Sequence, residues 1–329
     1  MIDSNKLTVV MYHYVRDLKN SRYPEIKGLD INLFQEQILF LIKNYNIVRI
    51  EDVIAASQGI QTLPPHAVLL TFDDAYSDHF VNVFPILKNH NLQGSFYAPV
   101  KAITEHEVLD VNKIHFILAS TPQDKMGNLL NEIRHLLSVY QEQFELQSFE
   151  NYFRKLAKSN RFDTAEVIFI KRLLQVELPE KLRKIMTSKL FENIVGLEES
   201  VFSRELYMSL DQIKCMINSG MHVGIHGYDH YWLGSLCKEK QQFEIKKSVE
   251  FLNVIGGDVN NWTICYPYGS YNQDTIDIVK SNGCKLGLTT DVSIASIVPS
   301  MGDSVYKLPR LDTNDLPKNA NNLPNKWYV

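Results

Sequence analysis

Two adjacent carboxylates, Asp73 and Asp74, end the run AVLLTF, and two imidazoles, His226 and His230, stand four apart behind HVGI. One carboxylate and two imidazoles form an open ligand set, which leaves coordination positions on Zn²⁺ or a similar divalent ion for water and substrate. Asp74, His226 and His230 are therefore the expected metal ligands. Gly227 between the histidines permits a sharp turn. Two consecutive carboxylates cannot both point inward from a regular strand. An irregular turn is expected there, and a nearby cation would offset the repulsion between them. Helix capping by Asp74 is the competing structural role. For the histidines it is ordinary burial or solvation.

These side chains need elements to carry them to one place. Short β-rich runs recur at Leu7–Val15, Ala67–Asp74, Gly94–Val100, His222–Gly227, Trp262–Gly269, Cys284–Thr290 and Val305–Asp312. Several are nearly continuous in apolar residues, as strands covered on both faces are. Amphipathic stretches alternate with them, at Asn32–Asn44, Ser209–Ser219 and Gln241–Ile255. Ser209 is a candidate N-cap, and Gly220 a candidate stop. Seven strand–helix alternations predict an α/β barrel or a doubly wound sheet. In a parallel barrel the strand C-termini share one mouth. His13, Asp73, Asp74, His226, the Pro267–Tyr268–Gly269 turn and Arg310 all follow predicted strands, so five strands deliver polar groups to one face.

Residues 101–206 break the rhythm and read as a helical insertion after the third strand. One stripe runs through Met126, Leu129, Leu130, Ile133, Leu136, Leu137 and Tyr140. Another runs through Leu182, Ile185, Met186, Leu190, Phe191 and Ile194. Core packing is the simpler reading of these stripes; a lid or a homodimer surface is the other. The expected domains are a discontinuous barrel over 1–100 and 207–316, the insertion over 101–206, and a polar C-terminal tail over 317–329.

The 329 residues are 45% hydrophobic and 22% charged, with a net charge of −4. A core is expected without disulfides. No basic run suggests nucleic acid as a partner. Cys215, Cys237, Cys265 and Cys284 are scattered and read as buried thiols. No apolar stretch reaches the roughly 18 to 20 residues of a membrane span. No signal peptide is visible, so the default expectation is a cytoplasmic protein, or one of the cell envelope if a leader had been removed.

TFDDAYSD (Thr71–Asp78), HGYDH (His226–His230) and YPYG (Tyr266–Gly269) together resemble the polysaccharide deacetylases, carbohydrate esterase family 4. VVMYHYV and KLPRLD resemble the branch that includes the biofilm poly-N-acetylglucosamine deacetylases. The resemblance covers Leu7–Val100 and Tyr207–Asp312. It implies a distorted (β/α)₇ barrel, with Asp73 as general base and Asp74, His226 and His230 as metal ligands. It implies further that the backbone N–H of Tyr268 stabilises the oxyanion, that Pro267 shapes that loop, and that His13 is the general acid. Three positions depart from the family pattern. Ala75 replaces the usual Gly, Gly227 lacks the usual Ser or Thr hydroxyl, and Cys265 stands where many members carry the Arg that holds the base. Arg310, from the last strand, is the candidate replacement, with a surface arginine as the other reading.

The expected reaction is removal of an N-acetyl or other N-acyl group from an amino sugar. The candidate substrates are an N-acetylated sugar, a sugar nucleotide or a glycan. Zn²⁺ is the expected ion, with Co²⁺, Ni²⁺ and Mn²⁺ as alternatives. A base and an acid in different protonation states predict a bell-shaped pH profile. Tyr12, Tyr14, Tyr76, Tyr228, Tyr231, Trp232 and Tyr268 crowd the motifs and could stack on sugar or fill the core. Tyr76, Tyr268, Pro267 and Gly269 are the candidates for substrate or oxyanion contact. Two other functions stay open: an amide or ester hydrolase with a non-sugar substrate, and a silent carbohydrate-binding homologue.

Overall fold

The computed structural model describes residues 5–160 and 163–329. They form two compact units. The first comprises Met1–Asp17, Gly28–Glu105 and Arg204–Val329, and the second Leu18–Lys27 and His106–Ser203.

The first unit is an α/β sheet built on β1 (Lys6–Tyr12), β2 (Ala67–Asp73), β3 (Ser95–Ala98), β4 (His222–Ile225), β5 (Thr263–Cys265), β6 (Leu286–Leu288) and β7 (Leu311–Asp312). Strands β1 to β6 pair in sequence order, all parallel, and β7 pairs parallel with the free side of β1. Leu308, just before β7, bridges to Leu288 of β6, so the curl meets itself. A short antiparallel strand, Ala295–Ser296, flanks the start of β1 and makes the sheet mixed.

The apolar run of β2 is buried at every position because the sheet has cores on both sides. Val68, Leu70 and Phe72 pack under helices α1 (Ile31–Asn44), α4 (Leu210–Asn218), α5 (Lys238–Val254) and α6 (Gln273–Ser281). Ala67 and Leu69 face the inner core with Val9, Leu286 and Leu308, together with Val53 and Ile54 of α2 (Ile50–Ser57). The remaining labelled helix, α3 (Phe84–Asn89), follows β2. The two-residue period of a strand extends that inner face through Thr71 to Asp73. Local signals fix the helix starts: Ser209 and Gln212 form a capping box on α4, and Asn272 and Thr275 form another on α6.

Between β3 and β4 the chain passes through the second unit, whose long helices are Asp110–Ala119, Met126–Tyr140 and Glu180–Val195. Both stripes read from the sequence supply its core, with Met126, Leu129, Ile133, Leu182, Met186 and Leu190 buried. Lys113 is buried there too. It pairs with Glu199 at 2.8 Å and donates to Ser188. Residues 18–27, expected in the barrel, belong to this helical unit: Tyr23 sets its ring edge-on to Phe116 and Phe202, and Lys27 pairs with Asp163.

Two other expectations need correcting. Cys215 and Cys237 are exposed, because one lies on the outer face of α4 and the other precedes α5; Cys265 and Cys284 are buried. The segment 317–329 is not a loose polar tail. The side-chain amide of Gln37 donates to the carbonyls of Leu316 and Pro317, and Tyr328 stacks on His66 at 4.1 Å. No described helix is long and apolar enough to cross a membrane.

Candidate active site

Asp73 ends β2 with its carboxylate inside the curl, 2% exposed. Arg310, just before β7, meets it with a two-pronged bond, Nη1 to Oδ1 at 2.9 Å and Nη2 to Oδ2 at 2.8 Å. Arg310 also donates from Nε to the Thr289 carbonyl and from Nη1 to Thr71 Oγ1. At 1% exposure it is not a surface arginine. The Cys265 thiol adds a third donor to Asp73, 3.4 Å from Oδ2. Burial works against ionisation of Asp73, yet the Arg310 guanidinium outweighs it and holds the carboxyl well below the usual carboxylate range. Asp73 is thus held by an arginine from the last strand.

Asp74 would face the other way if the strand continued. Instead Asp74 and Ala75 adopt left-handed backbone angles, φ 72° and 52°, and the chain turns. Such angles in residues other than Gly store strain, and they gather at functional sites. The turn points Asp74 Oδ1 at Nε2 of both His226 and His230, each 3.3 Å away. The two Nε2 atoms lie 3.2 Å apart. Asp74 does not cap the helix that follows.

A divalent cation fits this trio. Donors about 2.0–2.1 Å from a tetrahedral ion stand about 3.3 Å from one another. His226 Nδ1 donates to the Cys265 carbonyl at 2.7 Å, which leaves its Nε2 lone pair facing the trio. Asp74 Oδ1 is buried with no hydrogen-bond donor, and two protonated imidazoles at this separation would repel. One cation satisfies all three atoms. The other Asp74 oxygen accepts from the Tyr76 hydroxyl at 2.5 Å. Residues 197–287, which include both histidines, match the polysaccharide deacetylase family.

That match covers 91 of the 329 residues. The poly-beta-1,6-N-acetyl-D-glucosamine N-deacetylase of Escherichia coli (strain K12) is 34% identical over 86 residues, 26% of this chain and 12% of that protein. The stretches matched span 32% or less of the curated relatives' own lengths. Among solved structures, the Streptococcus pyogenes deacetylase PplD, in complex with acetate, aligns with a TM-score of 0.55 at 19% identity, covering 93% of this chain and 92% of that one. IcaB from Ammonifex degensii aligns with a TM-score of 0.53 at 18% identity, covering 94% and 93%. These two likenesses show the fold.

The remaining candidates fall around the trio. His13 follows β1, its side chain 41% exposed, with Nε2 3.9 Å from Asp73 Oδ2. Its backbone carbonyl accepts from His79 Nε2. Pro267, Tyr268 and Gly269 form one tight turn, with left-handed φ at Tyr268 (57°) and Gly269 (67°). A Cβ on Gly269 would lie 2.2 Å from Thr290 Oγ1, so only Gly fits. The Tyr268 ring stacks on Trp232 at 4.3 Å and meets His230 edge-on.

Tyr76, expected at the substrate, is instead a partner of Asp74. Its ring is fully buried between Tyr14 and Tyr207, and its hydroxyl is bonded to Asp74. Burial drives its hydroxyl well above the usual tyrosine range, so it remains a donor. Tyr12 and Tyr14 are likewise core, whereas Tyr228, Tyr231, Trp232 and Tyr268 keep partial exposure.

Sequence reasoning missed Glu244, on the buried face of α5, whose carboxylate accepts from the backbone N–H groups of Tyr228 and Asp229. The available signal was three polar residues, Gln241, Glu244 and Ser248, on the face that carries Ile245 and Leu252; all five are buried.

Proposed function

We propose that this domain hydrolyses the N-acetyl group of an amino sugar within a glycan or glycan precursor, using one divalent cation, Zn²⁺ by preference over Co²⁺, Ni²⁺ or Mn²⁺. The observation that carries the reading is the buried Asp74–His226–His230 trio beside a second, separately neutralised carboxylate. When bound, the cation supplies Lewis acidity, which makes water more acidic and the acyl carbonyl more electrophilic.

Asp73 is the base. Its position beside the trio, and the charge kept on it by Arg310, suit it to take a proton from the attacking water. The same two-pronged bond fixes the direction of its oxygens, and orientation of this kind is a large part of catalysis. His13, partly exposed and with Nε2 3.9 Å from Asp73 Oδ2, is suited to hand a proton to the departing amine. Without that proton the nitrogen would have to leave as an anion. The N–H of Tyr268, in its constrained turn, is the donor proposed for the oxyanion. One such donor is typically worth about 10²–10³ in rate. Pro267 and Gly269 hold the turn. The partly exposed rings of Tyr231 and Trp232 are suited to a sugar face.

The test is release of acetate and free amine from N-acetylglucosamine oligomers by the Zn²⁺-loaded protein, with simple acetyl esters in parallel. Asp73→Asn should abolish turnover while one equivalent of Zn²⁺ stays bound. His230→Ala should lose both. Ester cleavage without any amine release would remove the sugar amide as substrate, and full activity in Asp73→Asn would remove the base.

A further inference from the structure

Glu244 is 2% exposed, yet it makes no ion pair within bonding distance among the described residues. A buried carboxylate is costly unless fixed donors compensate it. Here the donors are two consecutive backbone amides, Tyr228 N at 2.8 Å and Asp229 N at 2.9 Å, both to the same oxygen, Oε2. Those two residues lie between the histidines of the trio.

The loop is otherwise an unusual piece of backbone. Gly227 has φ 76° and His230 has φ 57°, so two of its five residues take left-handed angles. Its outer side is pinned by Val100 N–H to the Gly227 carbonyl, by Lys101 N–H to the Tyr228 carbonyl, and by the Lys101–Asp229 ion pair at 2.8 Å. Its inner side is held by Glu244. A Cβ built on Gly227 would stand 3.4 Å from Oε2 and 3.3 Å from Pro267 Cγ, so the carboxylate fills the hollow of the turn.

We infer that Glu244 is a positioning residue, which holds the Gly227–Asp229 turn so that His230 reaches the cation together with His226 and Asp74. This rests on the reading that the trio binds a cation. Groups that orient metal ligands from behind typically change metal affinity by about 10–100-fold when removed. Both bonds end on one oxygen, so the single carbonyl oxygen of Gln can accept both, and Met at the same length can accept neither.

The experiment compares wild type, Glu244→Gln, Glu244→Met and a control on the same buried helix face, Ser248→Ala. Each is titrated with Zn²⁺ alone, and amide exchange at Tyr228 and Asp229 is followed in the metal-free protein. Glu244→Met should weaken Zn²⁺ binding about 10–100-fold and lose protection at those two amides. Glu244→Gln and Ser248→Ala should stay within about threefold of wild type, well short of that loss. Unchanged Zn²⁺ affinity or unchanged protection in Glu244→Met would overturn the inference. If that variant does not fold, Glu244→Asp takes its place: it keeps the charge but withdraws the acceptor by one methylene, and the same losses are expected. A wild type that bound no Zn²⁺ would sink the proposed function, while the exchange comparison would still decide whether Glu244 holds the turn.

Discussion

Arg310→Met should destabilise the metal-free protein by about 3–4 kcal/mol at pH 7, far more than its removal from a surface would. The side chain is 1% exposed and forks onto a carboxylate that is 2% exposed. Removing one partner of a buried pair typically costs about 3–5 kcal/mol, because the other charge is left stranded. A second route gives a similar figure. Asp73 can escape the stranded charge by taking a proton, and protonating a carboxyl with an ordinary pKa of about 3.9 at pH 7 costs about 4 kcal/mol. Near Asp73 there remain the Cys265 thiol at 3.4 Å and the imidazoles of His13, at 3.9 Å, and His226. The sign with pH follows. In wild type the depressed carboxyl contributes stability that is present above its unfolded pKa and lost as pH falls through the folded one. In Arg310→Met the folded carboxyl is raised instead, so the deficit should shrink as pH falls from 7 toward 5. Urea unfolding of wild type, Arg310→Met, Asp73→Asn and the double variant measures both. The double variant should cost at least about 2 kcal/mol less than the two singles added together. A deficit below about 1 kcal/mol for Arg310→Met, or additivity within about 0.5 kcal/mol, would refute the argument.

Other measurements bear on neighbouring features. Tyr76→Phe removes the 2.5 Å bond to Asp74 without emptying the ring's site, and should weaken Zn²⁺ binding about 10–100-fold with little change in fold; equal affinity would deny the hydroxyl any part in holding the ligand. Gly269→Ala places a methyl against Thr290 and should cut turnover while leaving Zn²⁺ affinity near wild type, as parallel assays of the two would show. Burial holds His79 and His222 neutral, with pKa near 4, against about 6.5 when exposed. The unfolded chain then takes up protons first, so each should cost about 2 kcal/mol of stability between pH 7 and pH 5. His222→Phe should lose less stability than wild type over that interval, and an equal loss in urea titrations would show that His222 contributes nothing to acid sensitivity.

The parts of the site that could be read from the sequence are those in which one residue type has few alternatives. A carboxylate pair closing an unbroken apolar strand has little to do in a core, and the HGYDH spacing left room for both histidines to converge. Arg310 was legible because the KLPRLD run had to reach the same mouth. The capping box at Ser209 was legible because it is local. Glu244 was not, since a polar residue inside a helical stripe looks like solvent-facing charge until the fold shows which amides it meets. Nor was the part played by Tyr76, which is buried in a stack of rings contributed by Tyr14 and Tyr207. Left-handed backbone at Ala75 was also hidden, because alanine carries no signal for it. The assignment of residues 18–27 to the helical unit rests on aromatic contacts far apart in sequence, which no local pattern announces.

The bridge from Leu308 back to Leu288 has a consequence for when during synthesis the site can exist. The segment that seals the curl is also the one that brings Arg310 to Asp73. Every ligand proposed for the cation is made earlier in the chain, but until the final strand docks, Asp73 lacks the guanidinium that forks onto it. A chain stopped short of residue 308 would hold all three proposed ligands without the main counter-charge of Asp73. On the proposed function, turnover would begin only once the C-terminal strand is in place, so premature termination should yield a silent protein rather than a weakly active one.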